Sequence, residues 1–146
     1  MYQINKRVGL MKVIIIDTNT DIQRAISDAE TPNNERKVVF EYIMSEMRGV
    51  YLSSDGIDIT ISARTAKKCT SHATEIKLRA ITKLDEMLTH CEFDEIVEAK
   101  HKRYSKFIYY KTNFEIDGKR YSAIINVGIT NGDKAVLYDF NQIKEQ

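Results

Sequence analysis

The sequence predicts an α+β fold, with amino-terminal helices packed on an antiparallel β-sheet that ends in a carboxy-terminal three-strand meander. Two patterns lead there. Up to about residue 90, apolar side chains recur largely at three- and four-residue spacing, whereas beyond residue 105 β-rich arms are joined by links too short for a crossover. Composition agrees with a packed core: 42% hydrophobic and 29% charged residues, with Pro 1 and Gly 6 in 146 residues, is the balance of a globular chain rather than a disordered or collagen-like one.

Met11-Lys12-Val13-Ile14-Ile15-Ile16-Asp17 reads as a short buried strand, with Met11 as an alternative start. A short helix is expected from Asp21 to about Ala29, stopped by Thr31-Pro32-Asn33-Asn34. The proline turn marks a boundary between a small extension, 1–33, and an α+β domain, 34–146. Asn34 caps the next helix, in which Phe40, Ile43, Met44 and Met47 share one face, and Gly49 ends it. Val50-Tyr51-Leu52 and the alternating Ile57 to Ser62 flank Ser53-Ser54-Asp55-Gly56, the pattern of a β-hairpin. Between about Thr74 and His90 the stripe Ile76, Ala80, Ile81, Leu84 and Leu88 predicts one longer helix. Strands then follow near Ser105 to Phe114, Lys119 to Val127 and Lys134 to Phe140, parted by Asp117-Gly118 and Thr130-Asn131-Gly132-Asp133.

Lys and Arg number 22 against 21 Asp and Glu, so no global field attracts nucleic acid or membrane. Any such affinity has to come from a local patch. Cys69 and Cys91 are too few for a secreted disulfide framework, although one bridge between them is compatible with the sequence. The apolar run at Val13–Ile16 is too short for a signal segment or a membrane span. A cytoplasmic place of action is expected, without a membrane partner.

The patch is found at Lys100-His101-Lys102-Arg103-Tyr104-Ser105-Lys106-Phe107-Ile108-Tyr109-Tyr110-Lys111, where cations alternate with aromatics and no acid intervenes. Lysine and arginine neutralise phosphates, and tyrosine or phenylalanine stacks unpaired bases, so the mixture suits single-stranded or looped RNA. The same pattern also fits an edge strand protected by lysines. His101 stands out because an imidazole can take and give a proton near neutral pH. Arg64, Lys67 and Lys68 follow an alternating strand at the start of a helix, a place for a phosphate, while Ser62 or Thr65 would cap that helix.

Metal chemistry has weaker support. Cys69, His72, His90 and Cys91 lack zinc-site spacing. In the calcium-loop-like run from Asp17, Ile22 replaces the required glycine. Ile14-Ile15-Ile16-Asp17-Thr18-Asn19 resembles the opening strand of PIN-domain ribonucleases, a minor metal-dependent alternative in which Glu41 and Asp94 would have to join Asp17.

From Gly49 to Ile143 the chain resembles the third large polyvalent protein-associated domain, a module of very large proteins of phages and conjugative elements. The resemblance rests on Ile59 to Lys68, Leu84-Asp85-Glu86-Met87-Leu88, Phe114 to Tyr121 and Val136-Leu137-Tyr138-Asp139. That module is similar to nucleases of the barnase, EndoU, colicin and RelE type. The resemblance implies an RNase-like domain that cuts RNA without metal or other cofactor, activating the ribose 2′-hydroxyl against its phosphate, in a toxin or effector with an immunity or antitoxin partner. Carried onto this sequence, it implies His101 as base or acid, Lys68 and Arg64 on the phosphate, and Tyr138 or Thr130 as hydroxyl donors. The RNA, tRNA or ribosomal, would be held by Lys67, Lys100, Lys102, Arg103, Tyr104, Lys106, Tyr109, Tyr110 and Lys111. A non-catalytic module that binds nucleic acid or protein is the other expectation, because one fold hosts many functions.

Overall fold

The computed structural model describes residues 12–146; Met11 and the alternative start it offers lie outside them. The chain is α+β, with its helices packed against one face of a mixed sheet. Strand β1 (Val13–Ile16) leads to helix α1 (Asp21–Asp28), capped by the Thr20 side chain, and to α2 (Pro32–Tyr42). Thr31, not Asn34, caps α2, and Pro32 starts the helix rather than stopping the previous one, since proline needs no N–H at that position. A π-helical turn over Ile43–Met47 completes this arm. The expected hairpin forms from β2 (Gly49–Leu52) and β3 (Asp58–Ile61).

Helix α3 (Ala63–Thr70) follows directly. Ser62 and Thr65 close a reciprocal capping box at its start. The single helix expected between Thr74 and His90 is two, α4 (Glu75–Ile81) and α5 (Leu84–His90). They part where the buried Thr82 hydroxyl donates to the Arg79 carbonyl and accepts from Gln23 Nε2, fixing the chain end of α4 against α1. Strand β4 (Glu92–Glu98), which the sequence did not suggest, precedes the meander β5 (Tyr104–Ile116), β6 (Lys119–Thr130) and β7 (Ala135–Glu145). At the β5–β6 turn, Asp117 and Gly118 both have positive φ, 49° and 80°, as a tight hairpin turn with the right-handed strand twist requires.

The strand order is β1-β5-β6-β7-β3-β2, with β4 also on β5. The meander is antiparallel as expected, but β1 joins β5 and β3 joins β7 in parallel. Helices lie between these parallel partners in sequence, supplying the long crossovers they need. One face of β5 and β6 holds Ile108, Tyr110, Phe114, Ile125 and Val127, all buried beneath the helices with Ile14, Ile16, Ile26, Leu78 and Leu84. Residues of the expected extension therefore share both the sheet and the core with residues of 34–146. Cys69 and Cys91 are free and buried, and burial pushes their thiols up to about 12 and about 11.

Candidate functional site

Three separate segments meet at one corner of the sheet. Pairing of β3 with β7 lasts only two residues, Ile59 with Ala135 and Thr60 with Val136. Beyond it, the Thr65 hydroxyl donates to the Leu137 carbonyl at 2.6 Å, so α3 continues along the edge of β7 where β3 stops. Ala66, Cys69 and Thr70 then face the core, while Arg64, Lys67, Lys68 and Ser71 line a pocket of about 320 Å³. The opposite wall is His101 and Arg103, from the link between β4 and β5, with Tyr104 and Tyr138 at its base.

A bulge at Tyr104/Lys106 shapes that base. It shifts the alternation by one residue, so that Tyr104 and Phe107 share a face. The Tyr104 ring lies against Gly128, where an added Cβ would come within 2.5 Å of Cδ1. Four rings pack here: Tyr104 is 5.0 Å from His101, 5.5 Å from Phe107 and 5.3 Å from Tyr138, centroid to centroid. Lys68 Nζ stands 5.1 Å from the centre of the Tyr138 ring, a cation–π contact that holds the ammonium at the pocket.

The lining contains Arg64, Lys67, Lys68 and Arg103 and no acid. Such a site attracts an anion and repels a divalent cation. His101 Nδ1 accepts the Arg103 backbone N–H at 3.1 Å. In a neutral ring held this way the proton sits on Nε2, which leaves His101 one N–H to donate.

The structure thus gathers His101, Lys68, Arg64, Tyr138, Lys67, Arg103 and Tyr104 of the expected site. It separates others. Thr130 is outside the lining, its hydroxyl accepting the Lys134 N–H in the β6–β7 turn. Tyr110 is a correction: it is fully buried on the core face, and its hydroxyl donates to Asp55, so no base can reach its ring. Burial, followed by the Asp55 charge, raises its pKa. Lys106 projects from the face opposite Phe107, away from the pocket. Lys100 and Lys102 are exposed beside His101 but do not line the pocket. Tyr109 and Lys111 lie farther along the face that bears Phe107, where Lys111 is 3.6 Å from Asp94. Ser71 and Phe107 were not among the expected site residues. Phe107 stood inside the cationic stretch, while Ser71 carried no signal of its own.

Asp17, at the end of β1, accepts the Asn19 N–H. Glu41 lies on α2 and Asp94 on β4, and no group of three His, Cys, Asp or Glu residues able to hold a metal ion occurs among the described residues. Nor is any described helix long and apolar enough to cross a membrane.

Residues 30–137 match the family model described as Large polyvalent protein-associated domain 3. That span takes in every residue lining the pocket except Tyr138, which lies one position beyond it. Comparison with curated proteins found no match, and comparison with solved structures found none either.

Proposed function

The chain belongs to the Large polyvalent protein-associated domain 3 family, and on that premise we propose that it is a metal-independent RNA-cleaving nuclease of a phage or mobile element. The observation that carries the reading is the acid-free pocket in which one imidazole and four cations converge. Similarity of the module to nucleases of the barnase, EndoU, colicin and RelE type points the same way.

In this reading a phosphodiester enters between α3 and His101, with Lys68 and Arg64 on its non-bridging oxygens. Attack by the 2′-oxygen on phosphorus forms a 2′,3′-cyclic phosphate and breaks the bond to the 5′-oxygen. Arg64, Lys67 and Lys68 stabilise the added charge of the transition state, which in many such reactions lowers the barrier more than any other single effect. The 2′-hydroxyl proton goes to His101, and the imidazolium so formed gives it to the departing 5′-oxygen. Because Nδ1 is engaged by Arg103, the ring has to release that N–H before it takes a proton. Tyr138 positions Lys68 through its ring. RNA in the cytoplasm, of the producing cell or of a target, is the substrate. A protein inhibitor would present acids to this pocket.

The engaged Nδ1 is also what favours a second reading, a module that binds RNA without turnover. Incubating the pure protein with tRNA and ribosomal RNA in excess EDTA separates the two. Discrete cuts with 2′,3′-cyclic phosphate ends are expected, and His101→Ala or Lys68→Ala should slow them by roughly 10²–10⁴-fold with the fold intact. Salt-sensitive binding without cutting would leave the binding module standing. Cutting only after magnesium or manganese is restored would overturn the metal-independent mechanism.

A further inference from the structure

We infer that the solvent face of the sheet carries a second phosphate subsite, formed by Lys111, Asn113, Ser122 and Lys144, so that single-stranded RNA lies along β5 from the corner pocket to this cleft. The inference rests on the reading of the corner pocket as an RNA site. It adds a requirement for length.

Strand register puts both sites on one face. Beyond the bulge, β5 pairs with β6 without interruption from Lys106 to Ile116, so Phe107, Tyr109, Lys111 and Asn113 all project to the same side. Phe107 packs against Tyr104 and Tyr138 of the corner pocket. Across the sheet Asn113 pairs with Ser122, and Ser122 with Lys144, which brings Lys144 to that side as well. Together these residues line a cleft of about 300 Å³. It lies on the face away from the helices, whose core-side residues are Ile108, Tyr110 and Phe114.

The distance suits a strand rather than a nucleotide. At about 3.3 Å per residue, Lys111 is about 13 Å and Asn113 about 20 Å along β5 from Phe107. Single-strand grooves track a backbone over such spans with cations at intervals and rings between them. Here the interval holds half-buried Tyr109 and, paired with it, Asn126. Asn126 is 8% exposed and its Oδ1 has no hydrogen-bond partner among the described residues. The Lys111–Asp94 contact, 3.6 Å long between partly exposed side chains, is weak enough for a phosphate to replace.

The test measures binding to the full chain of two probes that cannot be cleaved, a 2′-O-methyl uridine dodecamer by anisotropy and the 2′-O-methyl uridine dinucleotide by NMR titration. The double variant Lys111→Gln/Lys144→Gln is expected to weaken the dodecamer about tenfold and to lower its salt slope by about 1.4, the value for two lost contacts. Dinucleotide affinity should not change. An unchanged dodecamer affinity, or an equal loss for both probes, overturns the subsite while leaving the corner pocket as an RNA site. A wild-type chain that binds neither probe overturns the corner-pocket reading and the subsite together.

Discussion

A methyl group on Gly128 would stand 2.5 Å from Cδ1 and 2.8 Å from Cε1 of Tyr104, so the ring would have to move. Tyr104 is only 3% exposed and touches His101, Phe107 and Tyr138, which leaves it little room. Gly128→Ala should therefore cost about 1–3 kcal/mol, as overpacking generally does, and should disturb the wall against which His101 rests. Urea denaturation and RNA cleavage would both register the change. Gly132→Ala serves as the control, since its added carbon meets only Thr130 Oγ1 at 3.9 Å. Equal midpoints and rates for the two variants would show that the ring is not held as described. None of this was legible in the sequence. Counting by twos from Tyr104 places it with Lys106 and Tyr110, and the bulge at Tyr104/Lys106 breaks that count. Tyr104 therefore goes to the pocket face while Tyr110 goes to the core. A bulge of one residue leaves no periodic trace in a stretch where nearly every residue is charged or aromatic.

Helix α3 shows what the sequence does disclose at the scale of an element. Ser62 and Thr65, at the end of an alternating strand, announce the cap, and it is found; the cations expected at the helix start divide, Arg64 in the first turn and Lys67 and Lys68 in the last, although all three line the pocket. The bond from the Thr65 hydroxyl to the Leu137 carbonyl spans 72 positions, and no local pattern contains it. Thr65→Val removes that bond and the half of the capping box in which the Thr65 hydroxyl accepts the Ser62 N–H, while Ser62 still caps the helix, an expected loss of about 1–3 kcal/mol. Because α3 carries three of the pocket's cations, RNA binding should weaken more than far-ultraviolet circular dichroism changes. Wild-type affinity in a destabilised Thr65→Val chain would mean that the seating of α3 does not set the pocket. Other elements resisted reading for similar reasons. Strand β4 is acidic, and a register shift between Phe93 and Glu95 interrupts its alternation. The break between α4 and α5 depends on Gln23, far away in sequence, reaching Thr82.

At the scale of the whole molecule, the question is whether residues 34–146 can stand without the segment before them. The proline turn suggested a boundary, but proline at the start of α2 is a local preference and says nothing about what packs on either side of it. The parallel pairing of β1 with β5 joins residues 100 positions apart, from Val13 to Asn113. Sequence periodicity cannot announce such a pairing. Ile14, Ile16 and Ile26 are 0%, 3% and 0% exposed, and Gln23 binds Thr82 and the Arg79 carbonyl from within the core. Fully burying an isoleucine contributes about 1.5–3 kcal/mol, so these three supply roughly 5–9 kcal/mol. The net stability of a domain is only about 5–15 kcal/mol. Removal of 1–33 also uncovers Phe114 and Ile116 along the edge that β1 covers. A chain beginning at Asn34 is therefore expected to lose its cooperative thermal transition, or to melt far below the full chain, and to bind RNA poorly because the helices that seat α3 are loosened. Calorimetry on the two chains decides it. A truncated chain that melts within a few degrees of the full one would make the boundary at the proline turn a real division of the molecule, with β1 and α1 as an appendage to a self-sufficient sheet.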